Sequence, residues 1–578
     1  MKKIINQPGN VVREMLEGIT LGNRDLTLLP GENVVMRADI DAHRRSGCVA
    51  LISGGGSGHE PAHAGYVGEG LLTAAVAGDV FTSPSVDAVL AAIHCVTGSA
   101  GTLLIVKNYT GDRLNFGLAA EIARSEGRLV EMVMVDDDVA LSDDASFAGS
   151  RGLAGTILVH KVAGAAAASG LTLAEVKRET ESAIVALGTM GLALTPCTVP
   201  AAGIPSFTLA ADEIELGLGI HGEPGIRRTT IAPADALVEE LLERIVTVRR
   251  IAAGARVALL VNNLGASPPM ELAIVTRAAL TQLSARGIIV ERVLTGTYLT
   301  ALEMAGFSLS LMTVNDRRLA WLSASASAPA WAQMRVPQVG AAPGTQPVSP
   351  LMDTADTSEP ESRLPAAEVA RLRRVIELII AELIAAEPTL TRMDSAVGDG
   401  DLGISLARGA AAVCAELDQY DLERPARLLR QVSATLRRVL GGTSGPLYST
   451  FLLRMSVSLP KRAQLSCTDW AAAFAAGCEA VSTLGGAKVG ERTMLDAMVP
   501  AAQAMSAGVL AGVHFTEVLT GAWLAAQAGA EATKTIMPRR GRSTYLGARA
   551  LGHPDPGAYA VTLWLRALVE GLVAPGDH

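Results

Sequence analysis

The stretch Val49-Ala-Leu-Ile-Ser-Gly-Gly-Gly-Ser-Gly-His-Glu-Pro-Ala-His63 decides how the first half of this chain is read. An apolar run, Val49–Ile52, predicts a buried strand over Val49–Ser53. Gly54, Gly55, Gly56 and Gly58 follow, which predicts a loop leaving the strand with bare backbone N–H groups close to a small polar ligand. His59 then stands where an acid–base group would be useful. Gly54–Gly58 lacks both the dinucleotide spacing and the lysine of a P-loop. His59 and His63, at i and i+4, also have the spacing of a metal pair, but without an evident third ligand zinc is set aside.

Further strands are predicted at Thr102–Lys107, Val130–Val135, Arg256–Val261, Gly287–Leu294 and Ser308–Val314, with helices between many of them, as at Ser85–Ile93 and Ala234–Arg250. This alternation predicts an α/β region over residues 1–335 with two lobes dividing near 185–195. Residues 336–365 are rich in Pro, Ser, Thr and acid, without apolar period, and read as a flexible linker. From 366 to 578 the pattern is all helix: Ala366–Ala386, Gly403–Leu417, Ala426–Leu440, Trp470–Leu484, Met494–Ala507, Thr516–Ala530 and Gly557–Val573.

Composition narrows the function classes. Of 578 residues, 49% are hydrophobic and 19% charged, so large cores are expected. A net charge of −9 argues against nucleic-acid binding. No signal-type or membrane-spanning run is evident. The six scattered cysteines read as reduced residues of a cytoplasmic protein.

Two other segments join the glycine-rich stretch: Lys107-Asn-Tyr-Thr-Gly-Asp112, just after a strand, and Gly217-Leu-Gly-Ile-His-Gly-Glu-Pro-Gly225. Strand ends are where α/β proteins place ligands. His221 can add to a carbonyl through a neutral ring nitrogen, although a histidine in a Gly-Pro turn is also simply exposed or capping. Asp112 is open to the same turn reading. In the second half, Met393-Asp-Ser-Ala-Val-Gly-Asp-Gly-Asp401 gathers Asp394, Asp399 and Asp401 in what reads as one short loop. Such crowding calls for a hard cation, for which magnesium with phosphate oxygens is suited. The spacing excludes an EF-hand. Gly441–Gly445, Gly485–Asp496 and Asp555–Gly557 read as further Gly-rich helix entries fit for phosphate, with Arg542 as an added charge.

These motifs closely resemble the ATP-dependent, single-chain dihydroxyacetone kinases over nearly the whole chain. Ser53–His63, Gly78-Asp-Val-Phe81, Lys107–Asp112 and Gly219–Gly225 resemble the ketone-holding domain. Gly398–Asp401, Gly441–Gly445, Thr493–Asp496 and Asp555–Gly557 resemble the nucleotide domain, a helical barrel in this family. The resemblance implies a hemiaminal between His221 and the ketone, proton handling by His59 and Asp112, and a pocket lined by Gly56, Ser57, Gly58 and Lys107. It implies magnesium on Asp394, Asp399 and Asp401. ATP would be surrounded by Leu402, Gly403, Ile404, Ser405, Thr443, Ser444, Gly485, Met494, Arg542, Asp555, Pro556 and Gly557. It also implies a homodimer, and in some members FAD cleavage to a cyclic FMN. Leu402 departs from the His or Cys common in relatives. The expected reaction is phosphorylation of a short ketose, dihydroxyacetone first, with erythrulose as the alternative. A non-catalytic ketose sensor is a more distant one.

Overall fold

A computed structural model describes residues 2–572 apart from 142–149, 224, 339–362, 399, 463, 541 and 546; of Arg542 and Tyr545 only the backbone is described. The chain forms two compact units, Met1–Val348 and Ser349–His578. The expected linker falls almost wholly outside the described residues.

The first unit holds two six-stranded sheets. One comprises β1 (Leu26–Leu28), β2 (Val34–Arg37), β3 (Ala50–Ser57), β4 (Ala74–Val80), β5 (Thr102–Lys107) and β6 (Val130–Val135), in the order β1-β2-β4-β3-β5-β6. Its β4-β3-β5-β6 core is parallel, and β1 and β2 add an antiparallel edge. Helices Val86–Val96 and Thr110–Ser125 make the crossovers into β5 and β6. Parallel strands covered on both faces need continuous burial rather than alternation. β3 meets that condition, with all eight residues buried.

The other sheet comprises β7 (Leu187–Ala193), β8 (Glu213–Leu216), β9 (Arg227–Thr230), β10 (Arg256–Asn263), β11 (Ile289–Gly296) and β12 (Gly306–Thr313), in the order β11-β10-β12-β7-β8-β9. Only β10 and β11 pair in parallel, across helix Pro269–Ala285; the remaining ladders are antiparallel.

Two expectations need correcting here. The glycine run is no exit loop: Gly54, Gly55 and Gly56 belong to β3, because bare glycine lets neighbouring backbone come in close. A Cβ on Gly54 would lie 2.3 Å from the Val76 carbonyl oxygen, and one on Gly56 2.6 Å from the Thr82 amide nitrogen. The stretch 185–195, read as the division between the lobes, contains β7, which pairs with β12 and β8. All seven β7 residues are buried, so no alternation marks it.

The second unit is a closed ring. Helices Ala366–Ala385, Leu402–Glu416, Pro425–Val439, Ser444–Ser458, Cys467–Gly485, Leu495–Leu510, Phe515–Ala532 and Pro556–Leu572 each pack on the next, and the last packs back on the first. Helix Glu387–Val397 lies against the Leu402 and Pro556 helices. Alanines 473, 497, 501, 522, 526, 558 and 560 are fully buried and permit close helix approach. Phe451, Phe474 and Trp564 fill the interior, the first two edge-to-face at 5.2 Å. Helix Glu387–Val397 was not among the predicted ones, and helix Ser444–Ser458 was foreseen only as the helix that Gly441–Gly445 enters. No helix among the described residues is long and apolar enough to cross a membrane.

Candidate functional site

In the first unit the ends of β3, β4 and β5 meet the loop after β8. His59 follows β3 and is fully buried. Its Nδ1 lies 2.8 Å from the carbonyl oxygen of Thr300. A carbonyl only accepts, so Nδ1 carries the proton and Nε2 presents a lone pair. That Nε2 has no hydrogen-bond partner. Burial first, then the charges of Lys107 and His221, hold the His59 pKa well below 6.5, so the ring is neutral.

His221 lies beside it, ring centroids 4.9 Å apart and edge-on. Phe81 stacks on His59 at 5.1 Å and meets His221 edge-on at 5.2 Å, while Tyr109 closes another side of His221 at 4.7 Å. Phe81 holds this place with φ of 60°, a conformation costly for a non-glycine residue. Glu223 clasps His221 twice: its Oε2 accepts from the His221 amide and its Oε1 lies 2.9 Å from Nδ1. Burial works against the Glu223 charge, yet the hydrogen bond and charge of His221 and local amides hold its pKa down to about 2. An ionised carboxylate on Nδ1 keeps the proton there and leaves His221 Nε2 as a nucleophile. Behind this loop Arg151 donates to Asp138 Oδ2 and to the Gly217 carbonyl, both at 2.7 Å.

Asp112 is no turn residue. It sits buried in the first turn of helix Thr110–Ser125, with Oδ1 accepting from Ser83 Oγ at 2.5 Å. Lys107 ends β5, fully buried, with Nζ 3.0 Å from His63 Nε2. A Cβ on Gly55 would lie 3.0 Å from Lys107 Nζ and 3.4 Å from Asp112 Oδ2, so the space over Gly55 is where ammonium and carboxylate meet. Gly56, Ser57 and Gly58 line the same end of β3; Ser57 Oγ donates to the Gly78 carbonyl, and the Gly58 amide donates to Glu60. The structure thus gathers His59, His221, Lys107, Asp112 and the glycines. Phe81, Tyr109, Glu223 and Thr300 received no role from the sequence.

Gly55→Ala is expected to raise the ketose KM by roughly tenfold or more, as for one methylene too many in a fitted pocket, with the ATP KM unchanged. Steady-state kinetics against both substrates check it. Glu223→Gln is expected to slow ketone capture about tenfold, the scale of one charge-assisted hydrogen bond. Since the folded Glu223 value near 2 lies below its ordinary 4.5, the ionised group stabilises the loop above about 4.5 and loses that effect as pH falls toward 2. Acid unfolding of wild type and variant should differ in slope only across that window.

The second constellation lies in the helical unit. Asp394 is not in a loop: it occupies the last turn of helix Glu387–Val397, and its Oδ2 accepts from the Leu402 amide at 3.1 Å. Asp401 is the exposed residue before helix Leu402–Glu416, and Asp399 lies outside the described residues. Gly403 serves packing, since a Cβ there would lie 2.3 Å from the Glu387 carbonyl oxygen. Ile404 is exposed and Ser405 buried on the same first turn. Leu402 packs with Tyr448 and Tyr559 against Leu390, Leu406, Ala560 and Leu563. Thr443 and Ser444 start the helix that carries Tyr448. Gly485 is no helix entry but the last residue of its helix, followed by Gly486 in the left-handed conformation as the C-cap.

Met494 caps the start of helix Leu495–Leu510, and a Cβ on Gly557 would lie 3.6 Å from the Met494 Cβ. Asp555 accepts from the Ala558 amide, and Pro556 is buried. Two residues of the quoted motifs that were given no role hold the loop. Asp496 accepts from the Gly490 and Thr493 amides, and Arg492 binds the carbonyls of Thr533, Ala550 and His553. The Asp555 carboxyl is pushed up to about 6, by burial first, with Asp496 and Asp394 adding to it. Carboxylates crowded at helix starts suit a hard divalent cation carrying phosphates. No three His, Cys, Asp or Glu side chains gather as a metal set among the described residues.

Residues 17–330 match the Dak1 domain model and residues 396–570 the DAK2 domain model. A two-lobed α/β unit followed by a helical barrel, with these two domains in one polypeptide, defines a class of small-molecule kinase. The chain belongs to the single-chain dihydroxyacetone kinase family. It is 46% identical to the "Putative 3,4-dihydroxy-2-butanone kinase" of Solanum lycopersicum, covering 98% of this chain and 97% of that one. It is 43% identical to the triokinase/FMN cyclase of Homo sapiens, covering 99% of each. The crystal structure of the C. freundii dihydroxyacetone kinase in complex with AMP-PNP and Mg2+ is 36% identical with a TM-score of 0.62, covering 98% of this chain and 99% of that one.

Proposed function

We propose that this protein transfers the γ-phosphoryl group of ATP to a terminal hydroxyl of dihydroxyacetone. We assign the ketose to residues 1–335, Mg-ATP to residues 366–578, and a tether to 336–365. The observation that carries the reading is the clasp of Glu223 on His221 Nδ1 at 2.9 Å, which frees Nε2 beside the unpartnered Nε2 of His59. As a bond forms between His221 Nε2 and the keto carbon, the C=O π pair moves to oxygen, which takes a proton from water, and the Nδ1 proton is released through Glu223 to the hydroxide left behind, so Glu223 ends ionised. The product is a neutral hemiaminal. Glycerol has no carbon that can do this, so selection rests on bond formation.

The hydroxyl at the far end then attacks the γ-phosphorus while the bond to the ADP oxygen breaks. Its proton passes to Asp112, with His59 Nε2 as the second acceptor. Asp394, Asp399 and Asp401 would hold magnesium, which supplies charge neutralisation to the phosphate oxygens. Leu402–Ser405, Thr443, Ser444, Gly485, Met494, Arg542 and Asp555–Gly557 would surround the nucleotide. Support comes from the closeness of Met494 to Gly557 and from the Leu402 amide on Asp394.

A coupled ADP-release assay across dihydroxyacetone, erythrulose, glyceraldehyde and glycerol tests the reading; turnover of glycerol equal to that of dihydroxyacetone would end it. The erythrulose alternative has no separate observation in its favour and enters as an arm of that assay. We also read the protein as a cytoplasmic homodimer. The six cysteines are all free thiols. Met270 and Ile274 are exposed on helix Pro269–Ala285, which packs on the edge strand β11. Light scattering that gave a single-chain mass would remove the dimer.

A further inference from the structure

His63 has no part in the reaction as described, yet it is 6% exposed and set against the site's only described buried ammonium. Its Nε2 lies 3.0 Å from Lys107 Nζ. The His160 ring, from helix Thr156–Ala168, packs edge-on against it at 5.2 Å, and His160 is itself tied through Nε2 to Ser53 Oγ at 3.1 Å. His63 is therefore wedged between a core histidine and the lysine, and its ring cannot swing away without opening the core.

We propose that His63 is a positioning residue: its Nε2 accepts a hydrogen bond from Lys107 Nζ and holds the ammonium over Gly55 beside Asp112, where it orients the ketose. The inference rests on the reading of Lys107 as a ketose contact. Lysine carries a point charge on a flexible stem, so without a fixed acceptor its head is free to collapse onto Asp112. An acceptor on the far side sets the distance between them. Burial, then Lys107, His160 and His59, keep the His63 pKa well below 6.5, so it is an uncharged acceptor rather than a second cation. Lys107 is pulled down by burial and supported by Asp112, Asp137, Glu60 and Glu223. With Nε2 accepting, the ring proton resides on Nδ1, which has no partner in the structure.

Two variants separate positioning from bulk. His63→Leu fills the space without an acceptor and is expected to raise the dihydroxyacetone KM by about ten- to a hundredfold, the scale of one hydrogen bond to a charged group, with the ATP KM unchanged. His63→Gln restores an acceptor and is expected to recover most of that loss. Equal kinetics for His63→Leu and wild type, or equal damage in both variants, would overturn the role. A readout independent of turnover is the 15N spectrum of histidine-labelled full-length protein, with His63 assigned by its absence in His63→Gln. The Nδ1–H tautomer is expected in wild type and a changed Nε2 signal in Lys107→Met. An Nε2–H tautomer in wild type, or no change in Lys107→Met, overturns the proposal whether or not the protein phosphorylates dihydroxyacetone. Absent turnover with an Nδ1–H signal would refute the kinase reading alone.

Discussion

On the proposed roles, His221→Ala is expected to abolish ketone capture while Mg-ATP binding stays at the wild-type level. The physical reason is that, among the described residues of the first unit, no other group has the same combination of a bare ring nitrogen and a carboxylate on the opposite nitrogen. His59 has the bare nitrogen, but its Nδ1 is tied to a neutral carbonyl and its ring is stacked on Phe81. It cannot take over the bond. The expected fall in kcat/KM for dihydroxyacetone is about a thousandfold or more, the scale of losing a covalent anchor that acts together with its partners. Dihydroxyacetone labelled with 13C at the carbonyl gives a direct view: in wild type part of the signal moves to the range of a tetrahedral carbon, and in the variant it stays that of a ketone. Unchanged ketone affinity in His221→Ala would refute the covalent role.

Asp394→Asn is expected to remove Mg-dependent ATP binding and to leave ketone capture intact. Asp394 has one oxygen on the Leu402 amide, and the chain wraps closely round the other: a Cβ on Gly398 would lie 2.5 Å from Oδ1. Asparagine preserves the shape and one acceptor, so the loss isolates the charge. Removing even an outer partner of a metal ligand costs about ten- to a hundredfold in affinity, so a direct ligand should cost at least the upper figure, about a hundredfold. Calorimetry with Mg-ATP and with ATP in chelator measures it. Equal Mg-ATP affinity for Asp394→Asn and wild type would remove Asp394 from the metal set.

How much of this was readable in advance depends on which force shapes each segment. The long helices of the second unit were legible because alanine-rich helices keep their period where they bury one face. Helix Glu387–Val397 was not, because Ala386 joins it directly to its predecessor and Pro388 reads as a break, although proline in a first turn forfeits no hydrogen bond. β7 escaped because every one of its residues is buried. The glycines after Ile52 announced close approach correctly but concealed that the approaching group is a neighbouring segment's backbone as well as the space for a ligand. Within the site, His59, His221, Lys107 and Asp112 were visible as chemistry-bearing types beside glycine. What fixes their tautomers was not. The Thr300 carbonyl lies 241 residues from His59 in sequence, and Glu223 was seen only as part of a turn. Leu402, singled out for departing from its relatives, turns out to pack in an apolar cluster, which accounts for a leucine there in terms of burial.

The helical ring also bears on how the protein is made. Most of its contacts join neighbours in sequence and can form as the polypeptide emerges, but the seam between the Ala366 helix and the Pro556 helix joins segments far apart and must wait. Asp555, Pro556 and Gly557 lie at that seam's late-arriving side. A chain whose first unit has already folded outside the ribosome still carries a second unit whose circle stays open until the Pro556 helix arrives; on the proposed assignment, that stage is expected to hold the ketose without phosphorylating it.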